Sequence, residues 1–417
     1  MPTARPTAGP RLLAWRILCR WERGGVFAES LIRHAEQGLS PADRAMLQAI
    51  VLTTLRHLRL LEHTLTDLRG GKPLQPDARW LILTGLCQLF PLQWPEYAVV
   101  NELVALAPAR LRGLVNGILR EALRRRPLIE SAQLPPGVRY SMPDWLVERW
   151  EARLGRAECL ALLEWMGHTP PVCFRINPLC PPADIPADWQ PLAQAEGWYS
   201  ATEGGLPLRE LKAGHIYAAD PSTRHSVQLL APQPGERILD TCAAPGGKSS
   251  AILGATLGKC SLLSTDALAH RLPTLRENLR RCGAQPSSFR IEQHDWLRPC
   301  PAKWKGSFHA VLADVPCSNS GVFQRRVDAR WRLTPEELIK LTHIQQLIAT
   351  HAMQAVRPGG RFVYSTCSIE PEENTLLVQE LLRAHPGWKL EQEILALPHR
   401  VQSDGAYAAL LRAPEEA

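Results

Sequence analysis

The residues best suited to chemistry lie in two short stretches. Ala313-Asp-Val-Pro-Cys-Ser-Asn-Ser320 sets the carboxylate of Asp314 just before the thiol of Cys317, at the end of the apolar run 309–312. Tyr364-Ser-Thr-Cys-Ser368 sets a second thiol, Cys367, at the end of another apolar run, 361–364. A thiol attacks as its thiolate, and C6 of a pyrimidine is a suitable electrophile. C5 of cytosine is otherwise too poor a nucleophile to take a methyl group. Addition at C6 turns it into an enamine-like carbon that can. A carboxyl group near N3 would stabilise the adduct, and a base must then remove the C5 proton before elimination. One acid and two thiols therefore form a coherent set, although a free cysteine taken alone is more often a small buried hydrophobe. The proximity of Asp314 to Cys317 first points to Cys317 as the attacking thiol.

A second constellation is Leu239-Asp-Thr-Cys-Ala-Ala-Pro-Gly-Gly-Lys-Ser-Ser250. Cys242, Ala243, Ala244, Pro245, Gly246, Gly247 and Lys248 form a turn of small residues between a strand and a helix, where backbone can approach a ligand closely. Gly-Gly-Lys-Ser invites a phosphate-loop reading, but the first glycine of that motif would fall on Cys242, and the dinucleotide motif G-x-G-x-x-G is absent. A ligand with ribose and adenine but no polyphosphate fits better than ATP or NAD. Asp266 ends the next strand and is placed to accept from ribose hydroxyls, and Asp295 ends the third and is placed to accept from an adenine amino group. An ordinary tight turn is the bland alternative, and three acids after successive strands weigh against it. A third constellation follows the first thiol: Arg325, Arg326, Arg330 and Trp331 suit an RNA strand by phosphate contact and stacking, against the alternative of a surface loop.

These groups need elements to hold them. From residue 236 onward, apolar runs ending in small or acidic residues (237–240, 261–266, 289–295, 310–314, 361–365) alternate with helical stretches (247–257, 269–282, 335–356, 373–385). That alternation predicts a doubly wound, mainly parallel α/β sheet, with ligands beyond the carboxyl ends of its strands. Residues 405–411 are read as a final antiparallel strand. Residues 11–126 read as helix after helix, with Ser40-Pro41-Ala-Asp43 as a cap followed by proline at the first helical position. The expected divisions are an all-α domain over 1–130, a linker and small α+β module over 131–235, and a Rossmann-like domain over 236–417. Residues 178–205 resist assignment.

Composition narrows the class. At 417 residues with 45% hydrophobic content the chain is long enough for two or three folded domains. No apolar run is long enough to span a bilayer and no leader pattern opens the chain, so a soluble, cytoplasmic, monomeric protein is expected, with residues 1–10 as a frayed tail. The eleven cysteines are scattered, none in a C-x-x-C pair, which argues against a disulfide framework and against a metal site. Residues 1–130 carry 18 Lys+Arg against 11 Asp+Glu, and the remainder carries 30 of each, so the net +7 is wholly N-terminal. That asymmetry, which includes Arg124, Arg125 and Arg126, favours a polyanionic partner.

Taken together the motifs resemble bacterial ribosomal RNA cytosine-C5 methyltransferases of the RsmB (Sun/Fmu) type, within the NOL1/NOP2/Sun family. Leu239-Asp-x-Cys-Ala-Ala-Pro-Gly-Gly-Lys248 is similar to their S-adenosylmethionine loop. Asp314-x-Pro-Cys317 and Ser365-Thr-Cys-Ser368 with Glu372-Glu-Asn374 resemble their two thiol motifs. Residues 11–126 resemble their NusB-like RNA-binding domain, and 141–177 their pre-catalytic segment. The resemblance implies 5-methylcytidine formation in small-subunit (16S) ribosomal RNA with S-adenosylmethionine as methyl donor. It implies Cys367 as the nucleophile, Cys317 as the group assisting product release, Asp314 between cofactor and base, and Lys248 touching Asp314. Four departures stand out: Val315 for Ala, Val327 for Pro, Ala219 for Gln, and Ala406 in Asp404-Gly-Ala-Tyr407 for Phe. None removes a catalytic group, but Val327 and Ala219 fall in segments expected to shape the RNA site. A transfer-RNA target and a catalytically silent RNA-binding assembly factor are the alternatives.

Overall fold

The computed structural model describes residues 9–201 and 205–415, so all but the last two residues of the expected frayed tail fall outside the described residues. The chain forms two compact units, one of residues 1–168 with 323–332 and one of 169–322 with 333–417. The sequence-based divisions at 130 and 235 do not coincide with these units. Helices Asp144–Leu154 and Arg156–Gly167 bury Leu146, Val147, Trp150, Leu162 and Leu163, and they fall in the first unit.

The first unit is helical. Helix Pro76–Leu89 has buried residues on every face, as an axial helix must. Helices Pro10–Glu22, Pro41–Arg56, Glu96–Leu106 and Arg112–Arg124 contribute to the same core through Leu18, Ile50, Leu55, Leu103 and Leu119. The expected cap at Ser40 is present: its side chain accepts from the Asp43 amide at 3.1 Å, and Pro41 opens the helix.

The second unit holds two sheets. The smaller contains β1 (Cys173–Ile176), β2 (Trp189–Pro191), β3 (Trp198–Ala201) and β4 (Ile216–Ala218), antiparallel in the order β2-β3-β1-β4. Phe174, Trp189 and Ile216 form its core, with the Phe174 and Trp189 rings 4.7 Å apart edge to face. This resolves the stretch that resisted assignment. Strands of three or four residues flanked by prolines are too short to show a period.

The larger sheet has seven strands: β5 (Arg237–Asp240), β6 (Ser261–Asp266), β7 (Phe289–Gln293), β8 (Phe308–Asp314), β9 (Val356–Thr366), β10 (Lys389–Ala396) and β11 (Ala406–Arg412). Their order is β10-β11-β9-β8-β5-β6-β7, parallel from β9 to β7, with β11 antiparallel to β9 as expected for the tail. After β5 the chain runs outward through β6 and β7, then returns to lay β8 on the other side of β5. The β5/β8 boundary is thus the switch point at which such sheets bind ligands. Parallel strands covered on both faces read as continuous apolar runs, as 310–313 does.

Candidate active site

Strand register sets the site. Asp240 closes β5 opposite Leu312 of β8, and Asp314 closes β8 opposite Ser365 of β9. The loops that follow therefore emerge side by side, and they bring together residues far apart in sequence. Cys317 Sγ lies 3.0 Å from Cys367 Sγ, and both residues are only part-buried. Lys248 Nζ, on the helix after the small-residue loop, lies 2.6 Å from Asp314 Oδ2. Burial disfavours the Lys248 charge, but Asp314 outweighs it and the net shift is upward, with Cys367 adding in the same direction. The Cys317 thiol is held well above its ordinary range, first by its contact with Cys367 and then by burial. Burial also pushes up the thiols of Cys87 and Cys242, each to about 12, and of Cys19 and Cys300, each to about 11, which disfavours their thiolates.

A cavity of about 270 Å³ opens at the switch point, lined by Tyr217, Thr223, Asp240, Cys242, Lys248 and Asp314 among others. Ala243, Ala244, Pro245 and Gly247 line it too, and so does Ala219. Gly246, in the same loop, does not line the cavity; it adopts φ +109, and a Cβ there would sit 2.9 Å from Leu275 Cδ1. Asp266 and Asp295 do not line this cavity. Asp266 braces the loop instead: Oδ2 accepts from the Ala244 amide at 3.3 Å and Oδ1 from the Leu268 amide at 3.0 Å. Asp295 lies beyond the end of β7, with Oδ1 accepting from the Leu297 amide at 3.0 Å.

Asp240 was not among the expected cofactor residues. It is buried, Oδ2 accepts from Ser249 Oγ at 2.6 Å, and Oδ1 has no donor among the described residues. Burial pushes its pKa up to about 7, against the opposing Ser249 bond. Its position before the loop was visible in sequence, but an uncommitted oxygen was not. Arg175 of β1 reaches the same helix, donating to Ser250 Oγ at 2.6 Å.

The basic segment needs correction. Arg330 is fully buried in the helical unit and donates to the carbonyls of Phe323, Met166 and Ser141, so it does not contact RNA. Trp331 packs on the helical core and donates to the Leu55 carbonyl at 2.9 Å, which fixes the ring expected to stack on a base. Val327, expected to shape the RNA site, is buried in that core. Arg326 remains exposed, with Glu29 3.7 Å away, and Arg325 is half-buried. Arg124, Arg125 and Arg126 pair with Glu121, with Asp67, and with Glu96 and Glu130. No group of three or more His, Cys, Asp or Glu suited to a metal ion occurs among the described residues, and no described helix is long and apolar enough to cross a membrane.

A mainly parallel seven-stranded sheet with an antiparallel hairpin at one edge and a small-residue cavity at its switch point defines a Rossmann-like methyltransferase fold. The crystal structure of PH0851 shares it with a TM-score of 0.77 at 21% identity, covering 97% of this chain and 99% of that one. A family described as 16S rRNA methyltransferase RsmB/F matches residues 227–412, and the NusB family matches 8–124. The probable ribosomal RNA small subunit methyltransferase B of Synechocystis is 32% identical over 96% of this chain and 99% of its own length. The ribosomal RNA small subunit methyltransferase B of Vibrio cholerae is 33% identical over 90% and 91%. The chain belongs to the RsmB/F family of 16S rRNA methyltransferases, with an N-terminal NusB domain.

Proposed function

We propose that the protein transfers a methyl group from S-adenosylmethionine to C5 of a cytidine in 16S ribosomal RNA, through a transient bond between Cys367 Sγ and C6. The observation that carries this reading is the pair of part-exposed thiols 3.0 Å apart, with the Lys248–Asp314 ion pair in electrostatic reach of Cys367. The cavity fits the methyl donor. Asp240 Oδ1 is a buried acceptor with no donor among the described residues, and the ammonium of a methionine moiety would supply one. Residues 242–247 have no long side chain to hold the ligand off the backbone. A donor reaching beyond the cavity would meet Asp266 with its ribose and Asp295, through the second carboxylate oxygen, with its adenine amino group. When bound, S-adenosylmethionine supplies an electrophilic methyl group.

The protein's own groups do the rest. Cys367, within electrostatic reach of the Lys248 ammonium, forms as its thiolate the bond to C6 and displaces electron density onto C5 and N3. Asp314, next to Lys248, is placed for the N3 edge. Once C5 carries the methyl group, a base removes its proton. The C6–S bond then breaks, and the 5,6 double bond and the Cys367 thiolate are restored. Cys317 is the nearest group to assist that release. Arg326, Arg325 and the Arg124–Arg126 run would contribute phosphate contacts.

The test is bisulfite sequencing of 16S ribosomal RNA with and without the protein, together with both cysteine variants. Cys367→Ala is expected to abolish methylation, and Cys317→Ala to accumulate a covalent protein–RNA adduct visible on a denaturing gel. A fully active Cys367→Ala protein would refute the mechanism.

A further inference from the structure

Glu373 is fully buried beneath the two thiol loops and is not part of the chemistry described above. Its Oε1 accepts from the Ser318 amide at 2.8 Å and from Gln345 Nε2 at 2.8 Å. Its Oε2 accepts from Ser318 Oγ at 2.5 Å and from Ser368 Oγ. Ser318 directly follows Cys317, and Ser368 directly follows Cys367. Gln345 also donates to the Pro316 carbonyl at 3.0 Å, so it grips the same loop from the other side. The neighbouring Asn374 holds β9 itself: Oδ1 accepts from Thr366 Oγ1 at 2.6 Å, and Nδ2 donates to the Ser368 carbonyl at 2.9 Å. All four bonds to the Glu373 carboxylate come from uncharged groups. Burial raises its pKa, against the opposing bonds from Ser318 and Ser368. A buried carboxylate with no countercharge among these partners is costly unless every bond is kept.

We propose that Glu373 is the positioning residue of the thiol pair: its carboxylate clasps the loop after β8 to the loop after β9 and so sets the spacing of Cys317 and Cys367. The inference rests on the two-thiol reading of the site, but it concerns geometry and can be read without methyl transfer. Beyond the ends of β8 and β9 the loops are joined by the Gly321 amide donating to the Cys367 carbonyl at 3.0 Å and by bonds among Ser318, Ser320 and Ser368, and the Glu373 carboxylate bridges them at the residues next to the thiols. Removing the carboxylate leaves the Ser318 amide without an acceptor, leaves Gln345 with the Pro316 carbonyl alone, and takes away the bridge that joins Ser318 to Ser368 beside the two thiols.

The experiment compares wild type, Glu373→Gln, Glu373→Ala and the double variant Ser318→Ala/Ser368→Ala. The full-length protein is treated with diamide, which takes two hydrogens from two thiols to give a disulfide and its own hydrazine. The rate of Cys317–Cys367 disulfide formation is followed by peptide mass mapping. Glu373→Gln keeps an oxygen for the two N–H donors and offers an amide to two hydroxyls that can reverse, so its rate should stay within about threefold of wild type. Glu373→Ala and the double serine variant should slow it by at least about tenfold, because loss of alignment between two reacting groups is costly. In a Cys317→Ala background, Glu373→Ala should also lower the yield of RNA adduct while leaving S-adenosylmethionine affinity in place. If folded Glu373→Ala forms the disulfide at the wild-type rate, the clasp is wrong. Should that variant fail to fold, a wild-type rate in the double serine variant overturns it equally. A wild-type protein that never methylates RNA would instead sink the functional reading and leave the oxidation comparison intact.

Discussion

Asp240 closes β5 with Oδ2 committed to Ser249 and Oδ1 uncommitted, so a proton and a ligand's positive charge compete for the same oxygen. Burial raises its pKa to about 7. Below that pH the folded protein holds a proton that the unfolded chain has already released. This group's contribution to the stability of the unliganded protein is therefore full below the ordinary carboxylate range and declines as pH rises to about 7. Binding of a cationic group runs the other way and strengthens as Asp240 ionises. S-adenosylmethionine should bind several-fold more tightly at pH 8 than at pH 6: ionisation of one group near pH 7 alone gives about tenfold, and the ligand's own amino group, with a pKa of about 7.7–8, gives back part of that gain. Asp240→Asn should weaken binding and flatten that dependence, while raising the melting temperature of the unliganded protein at pH 8 more than at pH 5. Calorimetric titration and thermal melts at the two pH values check both halves. At this scale the chemistry was largely legible, because Asp314, Cys317 and Cys367 are informative residue types at strand ends. Asp240 was not, since its role depends on which oxygen is left without a partner.

The turn that follows Cys317 is built on a close approach of three backbones. Asn319 adopts φ +62, which asparagine tolerates better than most residues, and its Nδ2 donates to the Cys317 carbonyl at 2.9 Å. Gly321 then donates its amide to the Cys367 carbonyl at 3.0 Å and accepts from the Gly405 amide at 2.8 Å. A Cβ at 321 would lie 2.7 Å from the Cys367 carbonyl oxygen and 2.9 Å from Gly405 Cα, and backbone cannot swing aside as a side chain can. Gly321→Ala should cost about 1–3 kcal/mol, as overpacked sites do, and should slow methyl transfer more than it weakens cofactor binding. Denaturant melts give the first quantity, and single-turnover rates beside binding constants give the second. The parallel strands that carry this turn were readable because β8 and the second half of β9 are largely buried runs rich in apolar residues. β10 was not, because an edge strand reading Lys-Leu-Glu-Gln-Glu-Ile-Leu-Ala is mostly exposed and shows no alternation. Charge on an exposed edge is how such strands avoid pairing with another chain, and it also removes their sequence signal.

The helical unit does not complete its core from one continuous stretch of sequence. Residues 323–332 return to it, and they bury Val327 among its leucines and pack the half-buried Trp331 against them. Asp328 Oδ2 accepts from the Ala28 amide at 2.7 Å and from Trp21 Nε1 at 3.3 Å, and Arg56 donates to the Gln324 carbonyl at 2.8 Å. Arg330 satisfies three carbonyls from inside the fold. The sequence reading missed this because Arg-Arg and Arg-Trp-Arg carry the composition of a nucleic-acid surface. Burial depends on residues more than 150 positions away. The two kinds of arginine should separate by experiment. Arg330→Ala leaves those buried carbonyls without a donor and should cost about 3 kcal/mol or more. It should lower the melting temperature without changing how RNA affinity depends on salt. Arg326→Ala, at an exposed side chain whose ion-pair contact among the described residues is Glu29 at 3.7 Å, should leave the melting temperature in place. If Arg326 contacts a phosphate, that variant should reduce the slope of log affinity against log salt by about 1. Filter binding of 16S ribosomal RNA across a salt series, run beside thermal melts of both variants, reads the two effects together. A lost slope in Arg330→Ala with unchanged melting would return that residue to the RNA surface, against the burial described here.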